Sequence, residues 1–221
     1  MPFGQLAVTN APIPQDNPPI RGLVPDVLEV DDEPLVTATL LRYGTGPSGP
    51  FNELIHTVEA RYRGTTYASC LSLLLDLEAG VLAGREPFGF PKRLGAVSLT
   101  PSAPHAATGR VERPAGHPLA EFRFQGTAQQ SPPRALDKPF LNLRVIPSPV
   151  AGAPASVKEL VPCAFEIRPA EVWDGVGELV FPDGCPQAES LNRVEVLRYE
   201  GSTLAYGARC VLRAAEEVFQ L

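Results

Sequence analysis

Hydrophobic positions along this chain fall in short runs separated by turn formers. Runs rich in Val, Leu, Phe and Thr occupy residues 35–43, 53–62, 67–75, 97–99, 109–111, 120–125, 140–146, 164–172, 177–181, 191–197 and 206–217. That density of short strands predicts a mainly β protein, an antiparallel barrel or sandwich rather than alternating βα units. The helical readings are brief: 23–30 with Pro25 in its first turn, 77–84, and 188–196. With 25 prolines in the chain, long uninterrupted helices are disfavoured. Residues 102–118 and 129–138 are rich in turn formers and read as connectors. No internal repeat or break in composition divides the sequence, so residues 1–221 read as one domain, a length ordinary for a β-barrel.

Composition narrows the function classes. A net charge of −6 argues against nucleic acid as a partner, because phosphate binding needs a concentrated basic face. The apolar stretches at 71–75 and 81–83 fall far short of the roughly 18 residues that span a bilayer. The start, MPFGQLAVTNAPIPQ, has neither the positive charge nor the apolar run of a secretory leader. Cys70, Cys163, Cys185 and Cys210 are widely scattered, which predicts reduced thiols and a cytoplasmic protein. Cys185 reads as a loop or buried thiol and Trp173 as a core or interface residue. His56, His105 and His117 lack ligand spacing, so no metal site is expected. Gly44-Thr45-Gly46-Pro47 contains proline and no following lysine, so it reads as a turn rather than a phosphate loop. No metal, nucleotide or flavin cofactor is implied.

Amine chemistry has few candidates. The chain holds three lysines, Lys92, Lys138 and Lys158, against sixteen arginines. Lys92 lies in GREPFGFPKRLG, residues 84–95, between an aromatic turn with Phe88 and Phe90 and the adjacent Arg93. Apolar neighbours penalise the charged ammonium, and a permanent cation beside it penalises it again. A unit charge about 5 Å away contributes roughly 3 kcal/mol at an effective dielectric near 20. A neutral amine is what attack on a ketone demands.

The run G-R-E-x-x-G-F-P-K-R-L-G resembles the active-site signature of the acetoacetate decarboxylase-like superfamily. Two other stretches are similar to that family: LVPDVLEVDDEPLV (23–36), and KPFLNLRVIP (138–147) followed by EVWDG (171–175). The resemblance implies an antiparallel, cone-like β-barrel with a few short peripheral helices. It implies Lys92 as the Schiff-base nucleophile and Arg93 as its electrostatic neighbour. It places Glu53 as a further catalytic group, able to orient substrate, position a water or shuttle a proton. Phe88 and Phe90 are expected to flank the lysine, and the 181–186 segment to reach toward the pocket. A homo-oligomer is also implied.

The sequence departs from the family pattern in four places. Arg93 replaces a second lysine, Thr39 stands where the decarboxylases carry a glutamate, Gln5 lies nearest to a missing N-terminal arginine, and Phe90 replaces a tyrosine. A pocket with less fixed polarity suggests a substrate bulkier or less anionic than acetoacetate. The expectation is therefore a lysine Schiff-base lyase acting on a small-molecule carbonyl compound, decarboxylase-like. Its alternatives are an aldolase, dehydratase or isomerase using the same imine without releasing CO2, and a non-catalytic binder of a hydrophobic keto compound.

Overall fold

Two consecutive residues with positive φ, Arg63 (51°) and Gly64 (79°), close the tight turn between strands β3 (Phe51–Tyr62) and β4 (Thr65–Leu75). Such a turn matches the right-handed twist of the strands it joins and fixes their register. The computed structural model describes residues 6–12, 22–102, 104–133, 135–182 and 196–221. Around this hairpin the remaining strands assemble into a single 14-stranded sheet. They are β1 (Leu6–Pro12), β2 (Leu35–Tyr43), β5 (Lys92–Leu94), β6 (Ala96–Ser102), β7 (Ala106–Glu112), β8 (Pro118–Gln129), β9 (Leu136–Ile146), β10 (Val157–Arg168), β11 (Glu171–Val180), β12 (Gly201–Tyr206), β13 (Arg209–Ala214) and β14 (Phe219–Gln220). One helix, α1 (Glu78–Phe88), joins β4 to β5.

The sheet runs β13-β10-β9-β4-β3-β2-β1-β12-β11-β8-β7-β6, with β14 beside β10 and β5 beside β4. It curls into a half-barrel, as the mainly β expectation required. Pairing is antiparallel except where β4 meets β5 and β9. The β4–β5 exception has a simple cause. Parallel neighbours need a crossover, and α1 is that crossover.

Side chains alternate across β2, β3 and β4, and both faces are covered. Leu41, Ile55, Leu73 and Leu75 enter one core cluster; Ala38, Leu40, Leu54 and Leu74 enter another. The run Leu73-Leu74-Leu75 is apolar at every position because all three side chains are buried, Leu73 and Leu75 in one cluster and Leu74 in the other. A third cluster, including Val24, Leu28, Val58 and Leu160, packs elsewhere against the sheet.

Helix expectations fared unevenly. The 77–84 reading corresponds to α1. The 23–30 reading does not hold: the Leu28 N–H donates to the Pro25 carbonyl at 2.9 Å, and Glu29 then bridges to Arg61. Val24 and Leu28 are buried by this turn, which supplies an apolar pair without helical hydrogen bonding. Most of the 188–196 reading lies outside the described residues. The 206–217 run, read as one strand, is interrupted at Gly207 (φ 62°), where β12 turns into β13. Strand β7 forms within the expected 102–118 connector, and β9 starts within the 129–138 one. Among the described residues no helix is long and apolar enough to cross a membrane.

Candidate active site

Helix α1 delivers Lys92. Its last turn carries Arg85, favourable at the negative end of the helix, and it stops at Gly89 in the left-handed region (φ 68°). The Gly89 N–H donates back to Arg85, and the Phe90 N–H to the Gly84 carbonyl. A side chain at Gly89 would be strained by its φ and would also meet the Arg144 backbone at 2.9 Å. The chain therefore reverses sharply and enters β5, where Lys92 pairs with Leu73 and Arg93 with Leu74.

Strand alternation then separates the two basic residues. Lys92 projects into a cavity of about 710 Å³. The Arg93 guanidinium donates to Ser72 Oγ at 3.2 Å, on the other face of the sheet. Ser72 is the cross-strand partner of His56, and both are buried. Burial alone lowers His56 to about 4, so the imidazole is neutral, and its Nδ1 has no hydrogen-bond partner among the described residues.

Glu53 reaches the cavity from β3. It sits opposite Leu41 on β2 and Leu75 on β4, on the Ile55 side of the strand. Lys92 Nζ donates to Glu53 Oε1 at 2.7 Å, and the Tyr43 hydroxyl donates to Glu53 Oε2 at 3.1 Å. The pair is well buried, with side chains 12% exposed for Lys92 and 3% for Glu53. Two opposite charges at this distance offset each other's desolvation, whereas either alone would be costly there. Burial, then the negative charge of Glu53, pushes Tyr43 well above the usual phenol range, so its hydroxyl keeps its proton.

The cavity wall is largely apolar, with Leu41, Phe51, Ile55, Leu73, Phe140 and Phe165 among its residues. Phe90 belongs to it, and Lys92 Nζ lies 5.7 Å from the Phe90 ring centroid. Phe88 packs on Phe90 at 6.1 Å between centroids and is not among the lining residues. Thr39 shares a face of β2 with Leu41 and Tyr43 but does not line the cavity either. Gln5 and Cys185 lie outside the described residues, as does most of the 181–186 segment. Phe181 itself packs against the second core cluster.

Three ionisable lining residues, Tyr43, Arg209 and Cys210, escaped the sequence reading. Tyr43 looked like the end of a strand, and Arg209 and Cys210 lay in a run read as one continuous strand. Burial first, and Glu53 second, pushes the Cys210 thiol up to about 11, which keeps it protonated and poorly nucleophilic. Trp173 stacks on His105 with centroids 3.5 Å apart, away from the cavity-lining set.

A curled sheet thus holds a buried lysine–glutamate pair at the wall of a largely apolar cavity. Comparison with known proteins agrees with the resemblance in the signature. The acetoacetate decarboxylase family profile matches residues 10–215, and the chain belongs to that family. It is 38% identical over 198 residues to Decarboxylase DEC1 of Cochliobolus heterostrophus, covering 87% of this chain and 78% of the relative. A solved acetoacetate decarboxylase superposes with a TM-score of 0.79 at 22% identity, over 100% of this chain and 90% of the other. The enduracididine biosynthesis enzyme MppR, complexed with pyruvate, superposes with a TM-score of 0.74 at 20% identity, over 97% and 90% respectively.

Proposed function

We propose that this chain is a carboxy-lyase that forms a Schiff base between Lys92 and a β-keto acid bulkier than acetoacetate. The reading rests on one observation: the Lys92 amine, 2.7 Å from Glu53, in an apolar cavity of about 710 Å³. Glu53 takes a proton from the ammonium, and the freed amine adds to the ketone. Loss of water leaves a protonated imine. That imine draws in the electron pair of the carbon–carboxylate bond, so CO2 departs and an enamine remains. Protonation at carbon and hydrolysis return the ketone and Lys92.

The size of the cavity supports the substrate class. It lies within the roughly 300–1,000 Å³ typical of sites that hold drug-sized ligands, far more than acetoacetate needs. Arg209, exposed where β13 reaches the cavity, offers a fixed positive charge to an entering carboxylate. Kinship with Decarboxylase DEC1 supports CO2 release as the outcome.

One second reading has specific support. MppR, on the same fold, has been seen with pyruvate and with its condensation product with imidazole 4-carboxaldehyde, so an imine at Lys92 could serve bond making instead. The two readings separate in one assay. Straight-chain β-keto acids of increasing length are offered, with CO2 release followed and borohydride added to trap imines. The carboxy-lyase reading expects CO2 and a rise in kcat/KM with chain length. Trapped adducts without CO2 favour the second reading, and a preference for acetoacetate overturns the substrate class.

A further inference from the structure

Glu53 is held at both of its oxygens, by two different strands. Oε1 accepts from Lys92 on β5 and Oε2 from Tyr43 on β2. The consequence for the proposed reaction lies in the order of events. When Lys92 loses a proton and turns toward a carbonyl carbon, its contact with Oε1 loosens. The terminal torsion of a glutamate is broad and two-fold, so a carboxylate released on one side rotates readily. The contact with Tyr43 survives that step, because the phenol takes no part in imine formation.

Tyr43 is well placed to hold still. Its ring stacks on Phe51, its cross-strand partner, with centroids 4.4 Å apart and planes at 28°. Burial and the neighbouring carboxylate both keep the phenol protonated, so it remains a donor across the working pH range. Both rings line the cavity beside the Gly44–Pro47 turn, so the clamp forms part of its wall.

From this geometry we infer that Tyr43 is a positioning residue: its hydroxyl anchors Oε2 of Glu53 so that Oε1 stays aimed at the Lys92 nitrogen as the proton moves. This inference rests on the Schiff-base reading of Lys92 above. Other packing contacts of Tyr43 would survive removal of the hydroxyl; the anchoring would not.

The test is a double-mutant cycle of Tyr43→Phe and Glu53→Gln, with kcat, KM and borohydride trapping measured for each protein. Tyr43→Phe keeps the ring and its stacking. It is expected to lower kcat about 10- to 100-fold, the worth of a hydrogen bond to a charged group. KM should stay within about twofold, because the hydroxyl acts through Glu53 rather than on bound substrate. The double variant should be no slower than Glu53→Gln alone, because both changes remove one function. Wild-type kcat in Tyr43→Phe, or losses that multiply in the double variant, would overturn the role of Tyr43 while leaving the Lys92 chemistry intact. Absence of any trapped adduct in the wild type would overturn both together.

Discussion

The two faces of the β3–β4–β5 segment carry buried polar groups in opposite circumstances. On one face Lys92, Glu53 and Tyr43 form a hydrogen-bonded chain that opens on the cavity. On the other, the half-buried Arg93 donates to buried Ser72, which pairs with buried His56, beside the packed Leu54 and Leu74. Lys92 and Arg93, adjacent in the three-residue strand β5, contribute one member to each set. The cavity face keeps a charge pair that substrate could divide. The packed face keeps a neutral imidazole whose Nδ1 is unpartnered among the described residues, a cost borne in stability alone. A polar group in a sheet this apolar has chemistry to offer only where its face meets open space.

Replacing groups on one face at a time tests this division, and the largest effect falls on the lysine. Lys92→Ala should abolish imine trapping and lower turnover by on the order of 10³-fold or more, since a covalent catalyst has no substitute. Glu53→Gln follows, with kcat down about 10²- to 10³-fold in steady-state CO2 release, the usual range for a lost general acid–base. Retained turnover in either variant would mean that the cavity face is only structural.

The packed face should answer in stability. His56 stands near 4 in the fold against an ordinary 6.5, so the unfolded chain takes up that proton first. Stability is therefore unaffected above about pH 6.5 and falls as pH drops from there toward 4, by about 3 kcal/mol in all. Chemical denaturation at pH 7 and pH 4.5 would measure it, and His56→Leu should flatten that limb. An unchanged slope in the variant would show that other groups dominate acid unfolding.

A smaller and sharper effect is expected at Gly84. A Cβ there would lie 2.3 Å from Lys92 Cε and 3.0 Å from Nζ, so the lysine, the flexible partner, must move. Alanine is a better helix former than glycine by about 1 kcal/mol, which offsets part of the cost of parting the buried ion pair, so Gly84→Ala should lower the melting temperature only slightly. Its kcat should nonetheless fall about 10-fold, because the amine is displaced from Glu53. Smallest of all, Arg93→Gln should change kcat by less than about 3-fold. It should cost about 1 kcal/mol in denaturation through the lost Ser72 contact. A large loss of kcat there would restore Arg93 to the electrostatic role suggested by the signature.

Much of the fold was legible from the sequence because its signals are local. Most strands announce themselves as β-branched and aromatic runs between turn formers, and the GREPFGFPKRLG stretch marks its lysine without any structure. What could not be read depends on register. Tyr43 is 49 residues before Lys92 in the sequence, and only the pairing of β2 with β3, then β3 with β4, then β4 with β5, brings them to one carboxylate. The facing of Arg93 was in principle available from the period of two, once residues 92–94 are read as a strand. Three residues are too few to announce one. The 23–30 stretch misled because Val24 and Leu28 have helical spacing, yet the chain uses them in a single turn before bridging to Arg61.

The proposed imine falls on one lysine among three in the chain. Borohydride reduction in the presence of a long-chain β-keto acid, followed by peptide mass mapping, assigns the adduct to a residue. A single modified peptide carrying Lys92 is expected, with Lys138 and Lys158 untouched. An adduct at either of those residues, or an unmodified Lys92 under conditions of active turnover, would contradict it.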